Sequence, residues 1–332
     1  MIPPWNRIAG ILSAEADAGS ITSGAKPGTT RPRDMARKLT LLTMRRFGQY
    51  HLGVKTDKGI LDAAEAARLL NMFVPGTIDD LLQDEDGPSL NALVDLALTS
   101  KAAHPAFIRE EEVEYGPVVT RPEKIVGVGL NYRRHAREVN LPIPNQPVLF
   151  NKYNNALSPH NGAIKLPLGI ANKFDYEVEL VIVIGKTAKD ISEADALSYV
   201  AGYCTGNDFS ARDLQFDTGG QWMVGKTPDQ FAPLGPYLVT AEQINPDKLK
   251  IECRVNGETR QSSNTDDFIF STAQIVSYIS RHMTLKPGDI IFTGTPEGVI
   301  LGYPKDKQVW LKTGDKIACS VEKLGELRFE LI

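Results

Sequence analysis

This sequence of 332 residues lacks the marks of membrane proteins, nucleic-acid-binding proteins and disulfide-stabilised domains. No run of about 18 apolar residues is present to cross a bilayer, which excludes an integral membrane protein. Lysine and arginine number 37 against 41 acidic residues, and no basic stripe alternates with aromatics, so no nucleic-acid partner is expected. The few cysteines, Cys204, Cys253 and Cys319, form no C-x-x-C pair, which argues against a disulfide framework and a thiolate zinc site.

The low cysteine content favours a reducing compartment, and a cytoplasmic location is the expectation. Acidic residues near the N-terminus interrupt its short apolar stretch, which disfavours a signal peptide or a transit peptide. Organellar import stays open at this point.

Three consecutive parts are predicted along the chain, which is long enough for about two domains. Residues 1–45 are expected to form a flexible tail, because residues 20–32 are rich in glycine, serine, threonine and proline. Residues 46–117 combine short strand patterns with helical spacing and predict a small α+β domain. Residues 118–332 carry many short β-like runs and few helices, so the larger unit is predicted to be β-rich.

A pair of acidic residues at the start of a buried strand is the most informative feature. Glu177 and Glu179 stand two residues apart, just before residues 180–184, which are all apolar. On an extended chain their side chains share a face, with α-carbons about 6 to 7 Å apart, so both carboxylates can meet one cation. Asp208, at the end of another β-like run, adds a third. Such acids also occur on solvated strand edges, but a buried set would suit Mg²⁺ or Mn²⁺ better than zinc.

Other residues have both a chemical and an ordinary interpretation. His135 and Glu138, spaced three apart, can form a general-base dyad on one helical turn, or a chance pair on a solvated helix. Lys226 is either functional or a surface lysine. The loop at 293–298, which contains Thr295, can hold a carboxylate through its N–H groups, or serve as a plain turn.

In their order along the chain, these motifs resemble the fumarylacetoacetate hydrolase family. The matching segments read GLNYRRH, DYEVEL, NDFSARDLQ, GK and GDIIFTGTPEG, and begin at positions 129, 175, 207, 225 and 288. The resemblance covers about residues 118–332. It implies an α+β, β-rich fold, a mixed β-sandwich roll with a small N-terminal α+β domain. Two-domain members acting on small 2-oxo acids are the most similar.

The resemblance also implies roles for individual residues and a homodimeric assembly. A divalent metal would be held by Glu177, Glu179 and Asp208, with Lys226 at the substrate enolate and His135 with Glu138 as the dyad on a mobile lid. The oxo-acid would be bound by these residues: Arg212, Gln215, Gly294 and Thr295. Where relatives often have Lys-Pro, this chain has Lys152-Tyr153, a departure that is expected to change the pocket mouth and with it the choice of substrate.

The leading hypothesis is divalent-metal-dependent cleavage of a C–C bond beside a 2-oxo acid, as in acylpyruvate or fumarylpyruvate hydrolases. Mg²⁺ or Mn²⁺ would stabilise the enolate, and the dyad would deprotonate water. Oxaloacetate decarboxylation needs no water and is one alternative. A 2-oxo or enol acid isomerase or hydratase is another, because the same dyad can move a proton. A non-catalytic protein that binds a small 2-oxo or diketo acid is the last.

Overall fold

Nineteen strands and seven α-helices form from the residues that this computed structural model describes, which are 38–84 and 87–332. The tail expected at residues 1–45 lies outside the described residues up to position 37. Residues 40–45 differ from that expectation, because they form most of the first strand, with Leu41, Leu42 and Met44 buried. The expected boundary between residues 117 and 118 stays a prediction.

The strands are short and follow the apolar runs of the sequence. They are β1 (Thr40–Arg46), β2 (Gln49–Thr56), β3 (Gly59–Asp62), β4 (Phe107–Ile108), β5 (Ile125–Gly129), β6 (Val148–Lys152), β7 (Leu157–Pro159), β8 (Gly162–Ile164), β9 (Phe174–Asp175), β10 (Val178–Ile184), β11 (Val200–Asn207), β12 (Ser210–Ala211), β13 (Ala232–Leu234), β14 (Leu238–Thr240), β15 (Lys250–Val255), β16 (Glu258–Asn264), β17 (Ile290–Phe292), β18 (Lys316–Val321) and β19 (Glu326–Leu331).

The helices are fewer and mostly short, as the β-rich pattern predicts. They are α1 (Ala63–Leu70), α2 (Ile78–Asp84), α3 (Gly87–Thr99), α4 (Arg133–Glu138), α5 (Glu193–Ala196), α6 (Trp222–Lys226) and α7 (Thr272–His282). A π-helical turn covers Asp213–Asp217. Among the described residues, none of the helices combines the length and apolar character needed to span a membrane.

One large mixed sheet and one five-stranded sheet carry the fold. The large sheet has the order β4-β3-β2-β1-β14-β11-β10-β17-β5-β6, with β13 and β7 attached beside β11, and the smaller sheet has the order β16-β15-β18-β19-β8. The pair β17 and β5 is parallel, whereas β10 is antiparallel to both β11 and β17. The predicted α+β, β-rich class with mixed sheets is therefore confirmed.

Strand β10 is buried along its whole length, as the apolar run at residues 180–184 predicts for most of it. It lies between β11 and β17, with Val178 opposite Asn207 and Val181 opposite Phe292. The N-terminal strands extend the same sheet, because Thr40 of β1 pairs with Val239 of β14. The described residues belong to one compact unit.

Gly202 of β11 tests how tightly these strands pack. A Cβ atom at this position would lie 2.3 Å from the backbone carbonyl oxygen of Val239. We expect Gly202→Ala to lower the free energy of unfolding by about 2 kcal/mol, because the backbone cannot move aside without breaking the pairing with β14. Urea unfolding measures the change. Gly76→Ala is the control, since a Cβ there meets nothing within 4 Å, and equal effects of the two substitutions would contradict the prediction.

Candidate active site

The three acidic residues predicted as metal ligands converge in a buried site. Glu177 precedes β10 and Glu179 lies within it, so strand alternation directs both side chains to one face. Asp208 follows β11, and its N–H donates to the carbonyl oxygen of Glu177 at 2.8 Å. One carboxylate oxygen from each residue lies within 4.8 Å of the other two. The alternative of a solvated strand edge is wrong, because Glu177 is 6%, Glu179 1% and Asp208 0% exposed.

Three cationic side chains surround these carboxylates. The Lys226 ammonium donates to Glu177 Oε2 at 2.8 Å and to Asp208 Oδ2 at 2.6 Å. Lys152 forms an ion pair with Asp208, and Arg212 contacts Glu177 Oε1 at 2.6 Å. Lys152, Lys226 and Arg212 are all nearly inaccessible to solvent. The interpretation of Lys226 as a surface lysine is therefore wrong.

The charges change the acidity of these groups in opposite directions. Burial would raise the pKa of Glu177, but Lys226 and Arg212 hold that pKa well below its usual range. Burial and the charges of Asp208 and Glu177 raise the pKa of Glu179 well above its usual range. Burial also lowers the pKa of Lys152 to about 8, although Asp208 opposes this change. Ionised Glu179 is thus the least compensated charge of the site.

These observations fit a hard divalent cation. Glu179 accepts the N–H of Gly294 at 2.7 Å, and within residues 38–84 and 87–332 no lysine or arginine forms an ion pair with it. The donor set contains carboxylate oxygens alone, which suits Mg²⁺ or Mn²⁺ and does not suit the softer metals that prefer sulfur ligands. A cation among the three carboxylates would remove the repulsion that raises the pKa of Glu179.

The predicted dyad lies near Glu177 of the carboxylate site. His135 and Glu138 occupy α4, with Nδ1 of the imidazole 3.1 Å from Oε2 of the carboxylate. The other carboxylate oxygen, Oε1, accepts the N–H of Gly298 at 2.8 Å. His135 is buried and close enough to Glu177 to help lower its pKa. A solvated chance pair is excluded. In the neutral imidazole, a bond to Glu138 requires the proton on Nδ1, which leaves Nε2 as the basic nitrogen.

The four residues expected to bind the oxo-acid hold the site together in this structure. Arg212 donates to Gln215 Oε1 at 3.0 Å, and both residues are buried, Arg212 just before the π-helical turn and Gln215 within it. The Thr295 hydroxyl donates to the Val178 carbonyl at 3.0 Å. Gly294 has φ of +101°, and a Cβ there would lie 2.7 Å from the Cβ of Asn131. Glycine is therefore required at this turn.

Sequence reasoning missed three residues that position the site. Asp175 accepts hydrogen bonds from Arg212 and from the N–H groups of Ile300 and Leu301. It stands two residues before Glu177, so the same alternation that singled out Glu177 and Glu179 could have found it. Gln261 and Lys152 carry no such signal, because β16 and β6 bring them to the site only through tertiary pairing.

Gln261 of β16 joins β10 to the loop at residues 293–298. Its Oε1 accepts the N–H of Val178 at 3.0 Å, and its Nε2 donates to the hydroxyl of Thr295 at 2.9 Å. Lys152 was named from the sequence only for the pocket mouth beside Tyr153. Its ammonium in fact lies in the centre, where it also donates to the carbonyl of Phe209 at 3.2 Å.

Comparison with known proteins agrees with this geometry. Residues 124–332 match the model of the family described as fumarylacetoacetate (FAA) hydrolase, C-terminal. The chain belongs to the fumarylacetoacetate hydrolase family. A mitochondrial oxaloacetate tautomerase of Bos taurus is 43% identical to it over 283 residues, which cover 83% of this chain and 85% of the relative.

Two solved structures of related enzymes are also similar to this chain. Fumarylpyruvate hydrolase from Pseudomonas aeruginosa, in complex with Mn²⁺ and pyruvate, is 34% identical with a TM-score of 0.59, covering 65% of this chain and 96% of that chain. A 2-hydroxyhepta-2,4-diene-1,7-dioate isomerase from Mycobacterium marinum is 30% identical with a TM-score of 0.64, covering 89% and 98%. The predicted family and its fold are confirmed.

Replacing Glu179 by glutamine should separate folding from metal binding. An acid whose pKa rises on folding destabilises the folded state above its ordinary pKa, so Glu179→Gln should raise the Tm at pH 7 without divalent cation by about 2 °C. The further rise that Mg²⁺ or Mn²⁺ gives the unchanged protein should be largely lost. Thermal unfolding with and without the cation measures both effects.

Glu193→Gln is the matched control, because Glu193 is exposed on α5. It should change neither the Tm nor the response to the cation. A Glu179→Gln variant that keeps the full response to the cation would rule out Glu179 as a ligand.

Proposed function

We propose that this protein is a divalent-metal-dependent enzyme that interconverts the keto and enol forms of a small 2-oxo dicarboxylic acid of the oxaloacetate type. The observation that carries the proposal is the hydrogen-bonded His135–Glu138 dyad, whose buried imidazole lies close to Glu177 of the carboxylate site. The 43% identity to an oxaloacetate tautomerase supports this choice of reaction.

Glu177, Glu179 and Asp208 would hold the cation. When bound, the cation supplies Lewis-acid polarisation of the carboxylate and 2-oxo oxygens, which acidifies the hydrogen on the neighbouring carbon. The choice of Mg²⁺ or Mn²⁺ rests on the oxygen-only donor set.

The buried charges favour an anionic substrate. Four carboxylates, Asp175, Glu177, Glu179 and Asp208, face three cationic side chains, Lys152, Lys226 and Arg212. Adding a divalent cation changes the sum from one negative to one positive charge, which a carboxylate substrate balances. Lys226 would then place its ammonium beside the negative charge that develops on the enolate oxygen.

The dyad would move the proton. With Glu138 accepting the Nδ1–H of His135, Nε2 would take a proton from the carbon next to the 2-oxo group and deliver it to the enolate oxygen, and the reverse transfer would restore the keto form. The N–H of Gly298 donates to Oε1 of Glu138 and fixes that carboxylate, and the fixed carboxylate orients the imidazole. Arg212 and Gln215 would orient the substrate carboxylates. Gly294 and Thr295 would also contact the bound oxo-acid.

Hydrolytic cleavage of the C–C bond beside the 2-oxo group, favoured by the sequence analysis, is the second candidate. The observation that favours it is the 34% identity to a fumarylpyruvate hydrolase solved with Mn²⁺ and pyruvate. In this reaction the dyad deprotonates a water molecule in place of a carbon acid. Decarboxylation and the isomerase or hydratase reactions use the same enolate and differ in their products.

Assembly and location are part of the proposal. A homodimer is proposed because the resemblance to the family implies one, and light scattering of the purified protein tests it. The bovine relative is named as mitochondrial, so organellar import is proposed beside the cytoplasmic location expected from the sequence.

His135→Asn should lower the rate of oxaloacetate tautomerisation by about 10² to 10⁴-fold and leave Mn²⁺ binding intact, because it removes the base and no metal ligand. Ultraviolet absorbance of the enol follows the rate, and calorimetric titration follows Mn²⁺. His282→Asn, at an exposed position on α7, is the control and should keep full activity.

The unchanged protein and the two variants also distinguish tautomerisation from hydrolysis and decarboxylation. Acetylpyruvate and fumarylpyruvate in water enriched in heavy oxygen report hydrolysis by label in the released acid, and carbon dioxide from oxaloacetate reports decarboxylation. Full tautomerase activity in His135→Asn would remove the dyad from the mechanism. Inactivity of the unchanged protein on all three acids would favour a binding role.

A further inference from the structure

The helix that carries the dyad, α4, is a weak helix by its own sequence. It has six residues, fewer than an isolated helix needs to be stable in water. Its N-cap residue is Tyr132, which makes no side-chain capping bond. Arg133 and Arg134 place positive charge at the positive end of the helix, which opposes the helix dipole in the first turn. Its order therefore depends on contacts from elsewhere in the chain.

The missing cap comes from a distant segment. Asp267 lies in residues 265–270, between β16 and α7, and its Oδ2 accepts the N–H of Arg134 at 2.9 Å. This is the bond that a capping serine or aspartate makes when it precedes its own helix. A second bond joins the same two segments, because the side chain of Arg133 donates to the carbonyl oxygen of Asp267 at 3.2 Å.

Asn131 fixes the same segment against the start of α4. Its Oδ1 accepts the N–H of Phe270 at 2.8 Å, and its Nδ2 donates to the Phe270 carbonyl at 3.1 Å and to the Thr293 carbonyl at 2.8 Å. Its own carbonyl accepts the N–H of Ile269 at 2.7 Å. Asn131 thus connects the segment that carries the capping carboxylate to Thr293, where the loop at residues 293–298 begins.

That loop contacts α4 at both of its ends. Glu138 accepts the Gly298 N–H, and the Arg134 guanidinium pairs with Glu297 at 3.4 Å. The Arg134–Glu297 pair is partly exposed and contributes little by itself. The capping bond from Asp267 supplies the side-chain cap that Tyr132 does not make, so the first turn of α4 relies on Asp267 for that bond.

We infer that Asp267 is a positioning residue for the dyad: by capping α4 from a distant segment, it keeps His135 and Glu138 in place over the carboxylate site. The inference rests on the proposed function, since only a protein that uses the dyad needs the helix ordered. Asp267 itself contacts α4 and none of the three carboxylates.

Amide hydrogen exchange measured by mass spectrometry tests this directly. The N–H groups of Ala136 and Val139 are bonded within α4, to the carbonyls of Tyr132 and His135 at 3.0 and 3.1 Å. In Asp267→Ala, exchange over residues 136–139 should be about fivefold faster, the effect of losing one capping bond on a helix equilibrium. Asp267→Asn keeps an acceptor oxygen and should restore most of the protection.

Activity gives the second readout. Asp267→Ala should lower kcat on the substrate that the unchanged protein turns over, while calorimetry finds the same Mn²⁺ affinity, and Asp267→Asn should recover kcat. The matched control is Asp266→Ala, which removes the neighbouring exposed acid and should change neither exchange nor kcat.

Unchanged exchange over residues 136–139 in Asp267→Ala would overturn the inference, as would equal acceleration in Asp266→Ala. Loss of protection spread over β10 and β11 would also overturn it, because Asp267 would then support the whole fold. If the unchanged protein turned over no 2-oxo acid, the proposed function would fail, and the exchange data would still decide whether Asp267 caps α4.

Discussion

Repulsion among buried carboxylates is the constraint around which the site is arranged. The pairing of β10 with β11 brings oxygens of Glu177, Glu179 and Asp208 within 4.8 Å of each other, away from water. Ionised carboxylates in such a place are very unfavourable unless they are paired. Lys152, Lys226 and Arg212 come from three different parts of the chain to pair two of them. The third, Glu179, keeps a strongly raised pKa from burial and its two neighbours.

The residues that compensate the buried charges also hold the backbone of the site in place. Asp175 ties the arginine beside the acids to the loop at residues 300–301, and Gln261 ties β10 to Thr295. Removing one member leaves a buried charge or a buried polar group without its partner, which costs more than the bond itself contributed. The groups that suit a cation and an anionic substrate are therefore also the groups that hold the strands and loops of the site in register.

Much of the site could be predicted from local sequence, because several of its residues follow the regular spacing of a strand or a helix. Alternation along a strand identifies Glu177 and Glu179, the apolar run after them identifies a buried strand, and three-residue spacing identifies His135 with Glu138. The contributions of Lys152, Gln261 and Asp267 could not be predicted, because each depends on pairing between distant segments. The start of the first strand was missed for a similar reason, since Thr40 pairs with Val239, about two hundred residues away.

The most direct test of the account is a crystal structure with Mn²⁺, measured with X-rays at which manganese scatters anomalously. The account predicts one strong peak bonded to oxygens of Glu177, Glu179 and Asp208, with the Lys226 ammonium no longer bridging Glu177 and Asp208. A crystal soaked in Mn²⁺ that shows no peak among the three carboxylates, with Lys226 still bridging two of them, would contradict it.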